Sequence, residues 1–414
     1  MGGSTGAAGS GGRGSVPPVV LGRRALNRAT LDRQLLLRRA TGLSVEDAVG
    51  HLVGLQAQNV KPPYYALAAR LAEFDPAELS GLLADRRLVR TVTMRSTIHL
   101  HTAEDALPVR QLMQNALERE LTAFRSGLVG VDLVELAGIA REAVEAAPRT
   151  MKQLREVLLV RWPDADPQSL GIAARCVLPL VQVTPRGLWR RSGQVALTTA
   201  ERWLGVPGPA QDPSLVDAMV VRYLAAFGPA SVKDMQAWAR LTRLREVFER
   251  LRPGLRTFHD ENGVELFDLP DAPRPDPDTP APPRFLPEYD NLLLSHADRA
   301  RVVPAAYKGR TWKGNYPYCV FLYDGYLAGL WRLVEDAASG AAVLTVEPFE
   351  PVEKLGRAGR DALTAEAERM LTRIAETSTS YDIRFGTVYG TVIGTAAKTG
   401  AKAGAESGGG SGTG

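Results

Sequence analysis

The stretch Val49-Gly-His-Leu-Val-Gly-Leu-Gln-Ala-Gln-Asn-Val-Lys-Pro-Pro-Tyr64 decides how the rest of this chain is read. Val49, Leu52, Val53 and Leu55 give an apolar stripe at helical spacing. Pro62 and Pro63 are expected to stop that helix, because proline cannot continue one and disfavours helical geometry in the residue before it. Gln56 and Gln58 then fall at a frayed end. On a regular helix, residues two apart point roughly 200° away from each other. A partly unwound end lets both carboxamides face one spot. A carboxamide offers two donors and an acceptor, so a pair can hold a water and steady a nearby charge while staying neutral. The bland alternative is a solvated helix terminus.

Composition sets the frame. The chain has 414 residues, 45% hydrophobic and 23% charged, which suits a soluble protein of more than one domain. A net charge of +4 does not by itself establish a nucleic-acid partner. Local runs say more. Arg23, Arg24, Arg28, Arg33, Arg38 and Arg39 share their stretch with one acid, Asp32, and Pro185-Arg-Gly-Leu-Trp-Arg-Arg191 is a second basic point. A basic face suits a phosphate backbone; arginines solvated on exposed helices are the competing reading. Two cysteines, Cys176 and Cys319, supply neither a disulfide framework nor a cysteine zinc site, and point to a reducing, cytoplasmic setting. The most apolar run, 318–334, is broken by Asp324 and Arg332, so no membrane span is expected.

Along the chain one succession repeats: helices, then a two-stranded ribbon. It reads as an α+β chain of tandem winged-helix units, three in number, followed by a small β-barrel-like unit. The expected boundaries are a disordered tail at 1–20 and a first unit at 21–130 carrying the Gln-x-Gln motif. A second unit spans 131–205 and a third 206–270. A Pro/Asp linker fills 271–283, the β unit 284–395, and a disordered tail 396–414. Ser44, Asp75 and Thr150 read as helix N-caps, and Glu261-Asn-Gly as a hairpin turn.

The run Leu26-Asn-Arg-Ala-Thr-Leu-Asp-Arg-Gln-Leu-Leu-Leu-Arg-Arg39, then Gly54-Leu-Gln-Ala-Gln58, resembles the winged-helix DNA glycosylases of the AlkZ/YcaQ kind. So do Leu88-Val-Arg-Thr-Val-Thr-Met-Arg-Ser-Thr-Ile-His-Leu-His101 and Arg284-Phe-Leu-Pro-Glu-Tyr-Asp-Asn-Leu-Leu-Leu-Ser-His-Ala-Asp-Arg299. The resemblance covers roughly Leu26 to Gly390. Gln-Ala-Gln matches that family's glutamine–apolar–glutamine catalytic motif. A related branch carries Asp at the second polar position, and Gln58 places this chain on the AlkZ side.

The resemblance implies a monofunctional glycosylase with Gln56 and Gln58 as catalytic residues. Alkylation at N7 makes a purine cationic and weakens its glycosidic bond, so two neutral amides suffice where a neutral base needs a carboxylate. The expected substrate is duplex DNA carrying N-alkylpurines, including bulky adducts and interstrand crosslinks. No cofactor, metal, membrane or protein partner is expected. Asn59, Lys61, Arg95, Thr97, His99, Trp189, Arg190, Arg191, Asp290, His296 and Arg299 are the candidate DNA-binding residues. Each has a structural alternative, such as a wing-tip arginine in solvent, an apolar wing anchor or an Asp290–Arg299 ion pair. Two rival functions stay open: a non-catalytic winged-helix regulator, and a metal nuclease using Glu288, Asp290, His296 and Asp298. No phosphate-cradling Gly-x-x-x-x-Gly-Lys-Ser/Thr run occurs, and Gly-x-Ser-x-Gly occurs only as Gly2-Gly-Ser-Thr-Gly6 in the Gly/Ser-rich tail, where no strand–helix elbow is expected.

Overall fold

A computed structural model describes residues 19–210, 212–313 and 316–388. The expected tails lie outside these residues, apart from Val19 and Val20, as do residues 389–395 of the expected β unit. The architecture is α+β. Among the described residues no helix is long and apolar enough to cross a membrane.

Three helices followed by two strands occur three times. The first set is Val45–His51, Lys61–Arg70 and Pro76–Ala84, with strands Leu88–Val92 and Ile98–Thr102. The second is Leu133–Ala146, Met151–Arg161 and Pro167–Val177, with Leu180–Gln182 and Ala196–Thr199. The third is Leu215–Phe227, Val232–Ala239 and Arg245–Leu251, with Arg256–Asp260 and Glu265–Asp268. Local chemistry sets many of the starts. Ser44 accepts from the Asp47 amide, Asp75 from Ala77, and Thr150 exchanges bonds with Gln153 in a capping box.

The first two ribbons merge. Arg90 pairs with Gln182 and Thr91 with Val181, so both belong to one six-stranded sheet. Val20–Leu21 adds in parallel to Arg256–Asp260 of the third ribbon.

The helix Arg23–Arg33 threads between these parts and corrects the reading of the arginine run. Arg28 and Arg33 are buried, and their acids lie far along the chain. Arg33 forks onto Asp268 at 2.6 and 2.9 Å. Arg24 and Arg28 converge on Asp324, and Arg39 meets Glu366. Arg28 and Arg33 also donate to the carbonyls of Thr279 and Pro273, pinning the Pro/Asp stretch. These guanidiniums are internal cross-braces and do not form a phosphate-facing surface. A buried arginine needs a carboxylate and several acceptors, which is what they find.

The C-terminal unit is not a barrel. Arg284–Leu286, Val320–Tyr323, Tyr326–Asp336, Ala341–Pro348 and Ser380–Phe385 form an open five-stranded sheet whose outer strands do not meet. The last pair is parallel, and a parallel pair needs a crossover. The helix Gly356–Ile374 provides it and lays Leu363, Ala367, Met370, Leu371 and Ile374 over the sheet face. Phe285, Phe321 and Trp331 meet this helix and Tyr65 of Lys61–Arg70 in one core.

Candidate active site

The Gln-Ala-Gln segment begins as the end of a short strand, Leu55–Gln56, and turns away after it, so it is not a fraying helix end. The helix stops at His51, Val53 and Gly54 take left-handed backbone (φ 56° and 89°), and Leu55–Gln56 emerges as a strand. Pro62 and Pro63 start the next helix, Lys61–Arg70, within its first turn. Proline fits there because the first helical amides have no partner inside the helix. The same two residues were expected to end a helix.

Gln56 lies directly opposite His99 across the antiparallel pair, and the Ala57 amide donates to the Ile98 carbonyl at 2.7 Å. At Gln58 the ladder passes to the side chain: the Ile98 amide donates to Gln58 Oε1 at 3.3 Å. Gln58 is exposed, while Gln56 keeps 6% of its surface. Arg95 Nη2 donates to Gln56 Oε1 at 2.8 Å and lies 3.2 Å from His99 Nε2. His99 Nδ1 sits 3.0 Å from the Thr97 carbonyl. A carbonyl only accepts, so Nδ1 carries the proton and Nε2 accepts from Arg95. Burial, and then the Arg95 charge, hold His99 well below the ordinary histidine range, so the ring is neutral.

Arg95 also donates to the Trp238 carbonyl at 2.7 Å. Burial lowers it to about 10, with Arg240 and Arg299 adding repulsion. Both of these are exposed. Among the described residues no carboxylate pairs with Arg95, Arg240 or Arg299. Acids stand close by: Glu288 accepts from Asn59, next to Gln58, and Glu120 accepts from Ser96, next to Arg95.

Residues that the sequence did not single out brace the edge from behind. Arg90 Nη2 donates to the Ala57 carbonyl at 2.7 Å, and its fork reaches the Asn59 carbonyl at 3.4 Å. Asn291 Nδ2 donates to the Gly54 carbonyl at 2.7 Å. Arg90 and Asn291 both stand inside the quoted family stretches, which was the available signal. His101 explains Gly54: a Cβ there would come within 2.5 Å of the imidazole.

The remaining candidates divide by exposure. Asn59 Nδ2 donates to Glu288 Oε1 at 3.0 Å, and Lys61 faces Glu335 at 3.4 Å. Thr97 hydrogen-bonds the Met94 carbonyl. Trp189 packs at a tilt of 37° against Tyr64, ring centroids 4.5 Å apart, and its Nε1 donates to Glu376. Arg190 pairs with Glu335 and Glu376, whereas Arg191 is exposed. Asp290 does not pair with Arg299. It takes a fork from Arg70 at 2.8 Å twice, with both side chains fully buried. His296 is buried on the Phe227 carbonyl. Asp290 and His296 therefore face inward and support the loop carrying Asn291. The carboxylates of the nuclease reading do not converge: Glu288 takes the Asn59 amide and the Cys319 thiol, and Asp290 is spent on Arg70.

With this geometry in place, the comparisons with known proteins are informative. The chain matches the family described as "DNA glycosylase AlkZ-like" across residues 49–373. It is 27% identical over 348 residues to the interstrand DNA cross-link repair glycosylase of Streptomyces sahachiroi, covering 78% of this chain and 90% of that one. The solved structure of the Streptomyces sahachiroi DNA glycosylase AlkZ superposes with a TM-score of 0.73 at 22% identity. That superposition covers 89% of this chain and 100% of the other, a likeness of fold.

Proposed function

This chain belongs to the AlkZ-like DNA glycosylase family and is a DNA repair glycosylase; from that premise we propose that it is monofunctional and hydrolyses the N-glycosidic bond of cationic N-alkylpurines. The substrates are N7-alkylguanine, bulky adducts and interstrand crosslinks in duplex DNA. The three helix–ribbon sets act as winged-helix units carrying the duplex. The protein works in the bacterial cytoplasm, in repair or in self-resistance to a DNA-alkylating natural product.

One observation carries this reading. Gln56 ends a short strand and Gln58 follows two residues on, both bordering Ile98–His99, and among the described residues neither hydrogen-bonds a carboxylate. Both carboxamides are neutral and border the same stretch of the neighbouring strand, and we take them to serve one substrate. A cationic purine is already a good leaving group, and the transition state is oxocarbenium-like. Positioning the water and the sugar is then enough. The exposed Gln58, Asn59, Arg191 and Arg299, with the half-buried Thr97, are the groups proposed to meet the duplex.

The test incubates duplex DNA carrying N7-methylguanine with wild type, Gln56→Ala and Gln58→Ala. Release of free base by wild type, falling roughly 10²-fold or more in each variant while duplex affinity persists, supports the proposal. Undiminished release by both variants refutes it.

A further inference from the structure

The two glutamines are not equivalent in how they are held, and the difference assigns a role to Arg95. Gln56 is sequestered, and its Oε1 accepts from the Arg95 guanidinium at 2.8 Å. Its Nε2 donates to no described residue, yet it is not among the polar atoms sealed from solvent without a partner. The carboxamide therefore has one settled orientation, with oxygen inward and N–H outward. Arg95 is itself fixed. It donates to the Trp238 carbonyl, and the neutral His99 ring accepts from it. Arg95 and Ser96 both hold left-handed backbone (φ 56° and 57°), a costly geometry for non-glycine residues that surrounding structure must enforce. That double kink turns the guanidinium back onto the Gln56 edge and away from solvent.

We infer that Arg95 is a positioning residue for the glycosylase reaction: it locks Gln56 so that the amide N–H groups, not the carbonyl oxygen, are presented to the substrate. The inference rests on the proposed role of Gln56. At Gln58 the Ile98 amide engages the same kind of oxygen, so both carboxamides offer donors outward. Donors recognise an acceptor, such as a water oxygen or a lone pair on the departing purine. They do not take up a proton. A guanidinium serves here because its fork spans three acceptors at once, which a lysine ammonium on a flexible stem does not reproduce.

The test measures single-turnover base release and duplex Kd on N7-methylguanine DNA. It uses Arg95→Ala, Arg95→Gln, Gln56→Ala and the Arg95→Ala/Gln56→Ala double variant. Arg95→Ala is expected to slow release by roughly 10–100-fold with Kd nearly unchanged. Arg95→Gln, uncharged but still a donor, recovers part of that rate. The double variant is no slower than Gln56→Ala alone, because one group acts through the other. Weakened Kd and a shallower salt dependence with an unchanged rate would overturn the inference, making Arg95 a phosphate contact. Additive losses would overturn it too. Should Arg95→Ala fail to fold, Arg95→Gln decides alone: a loss confined to Kd overturns the inference, and a loss confined to rate supports it. Full activity in Gln56→Ala would instead defeat the underlying function, whatever Arg95 does.

Discussion

Gly54 stands directly opposite His101 across the strand pair, and a Cβ on Gly54 would lie 2.5 Å from the imidazole Cε1. The contact explains why the approach to Gln56 is built from glycine. The position also takes φ 89°, which L side chains rarely adopt.

Gly54→Ala is therefore expected to cost about 2 kcal/mol or more, combining backbone strain with a displaced buried ring. Denaturant unfolding measures the loss. Base release should fall with it, because the Gln56 strand begins one residue later. A variant as stable and active as wild type would show that the edge tolerates displacement.

Asp290 separates a structural from a DNA-contacting role. Its carboxylate balances the Arg70 guanidinium in a pair with no exposed side-chain surface. Asp290→Ala strands a buried cation, so about 3–5 kcal/mol of stability should disappear. A duplex contact would instead raise KM at unchanged stability. Thermal unfolding and steady-state kinetics on the same preparation tell the two apart.

The buried histidines set a pH dependence. Burial, the leading cause, depresses His101 to about 4, below the ordinary value of 6.5. The unfolded chain therefore binds the proton first as pH falls. Stability from His101 is complete above pH 6.5 and is lost progressively between 6.5 and about 4, at roughly 1.4 kcal/mol per pH unit. His99 is shifted in the same direction. Unfolding free energies at pH 7 and pH 5 should show this fall, and His101→Gln should flatten it. An unchanged slope in that variant would assign the acid sensitivity elsewhere.

Local chemistry was legible in the sequence; partnerships at long range were not. The caps at Ser44, Asp75 and Thr150 and the turn at Glu261-Asn-Gly depend on neighbours a few residues away. Their side chains determine the geometry almost alone. Arg28 and Arg33 do not join a basic face because their acids lie far along the chain, Asp268 at a separation of 235 residues from Arg33. No local pattern announces such a pair. Pro62 and Pro63 were misplaced for a different reason: proline suits both the residues after a helix and its first turn. The barrel-like expectation failed because the outer strands, Arg284–Leu286 and Ser380–Phe385, do not pair, which alternating short strands do not reveal.

The most direct measurement compares base release from two duplexes, one with N7-methylguanine and one with 7-methyl-7-deazaguanine, which keeps the shape but carries no positive charge. The account predicts similar binding of both and release of the first alone. Gln56 and Gln58 supply position, and the lesion supplies the charge that weakens its own bond. Comparable release from both would show that the protein activates a neutral leaving group, contradicting the account.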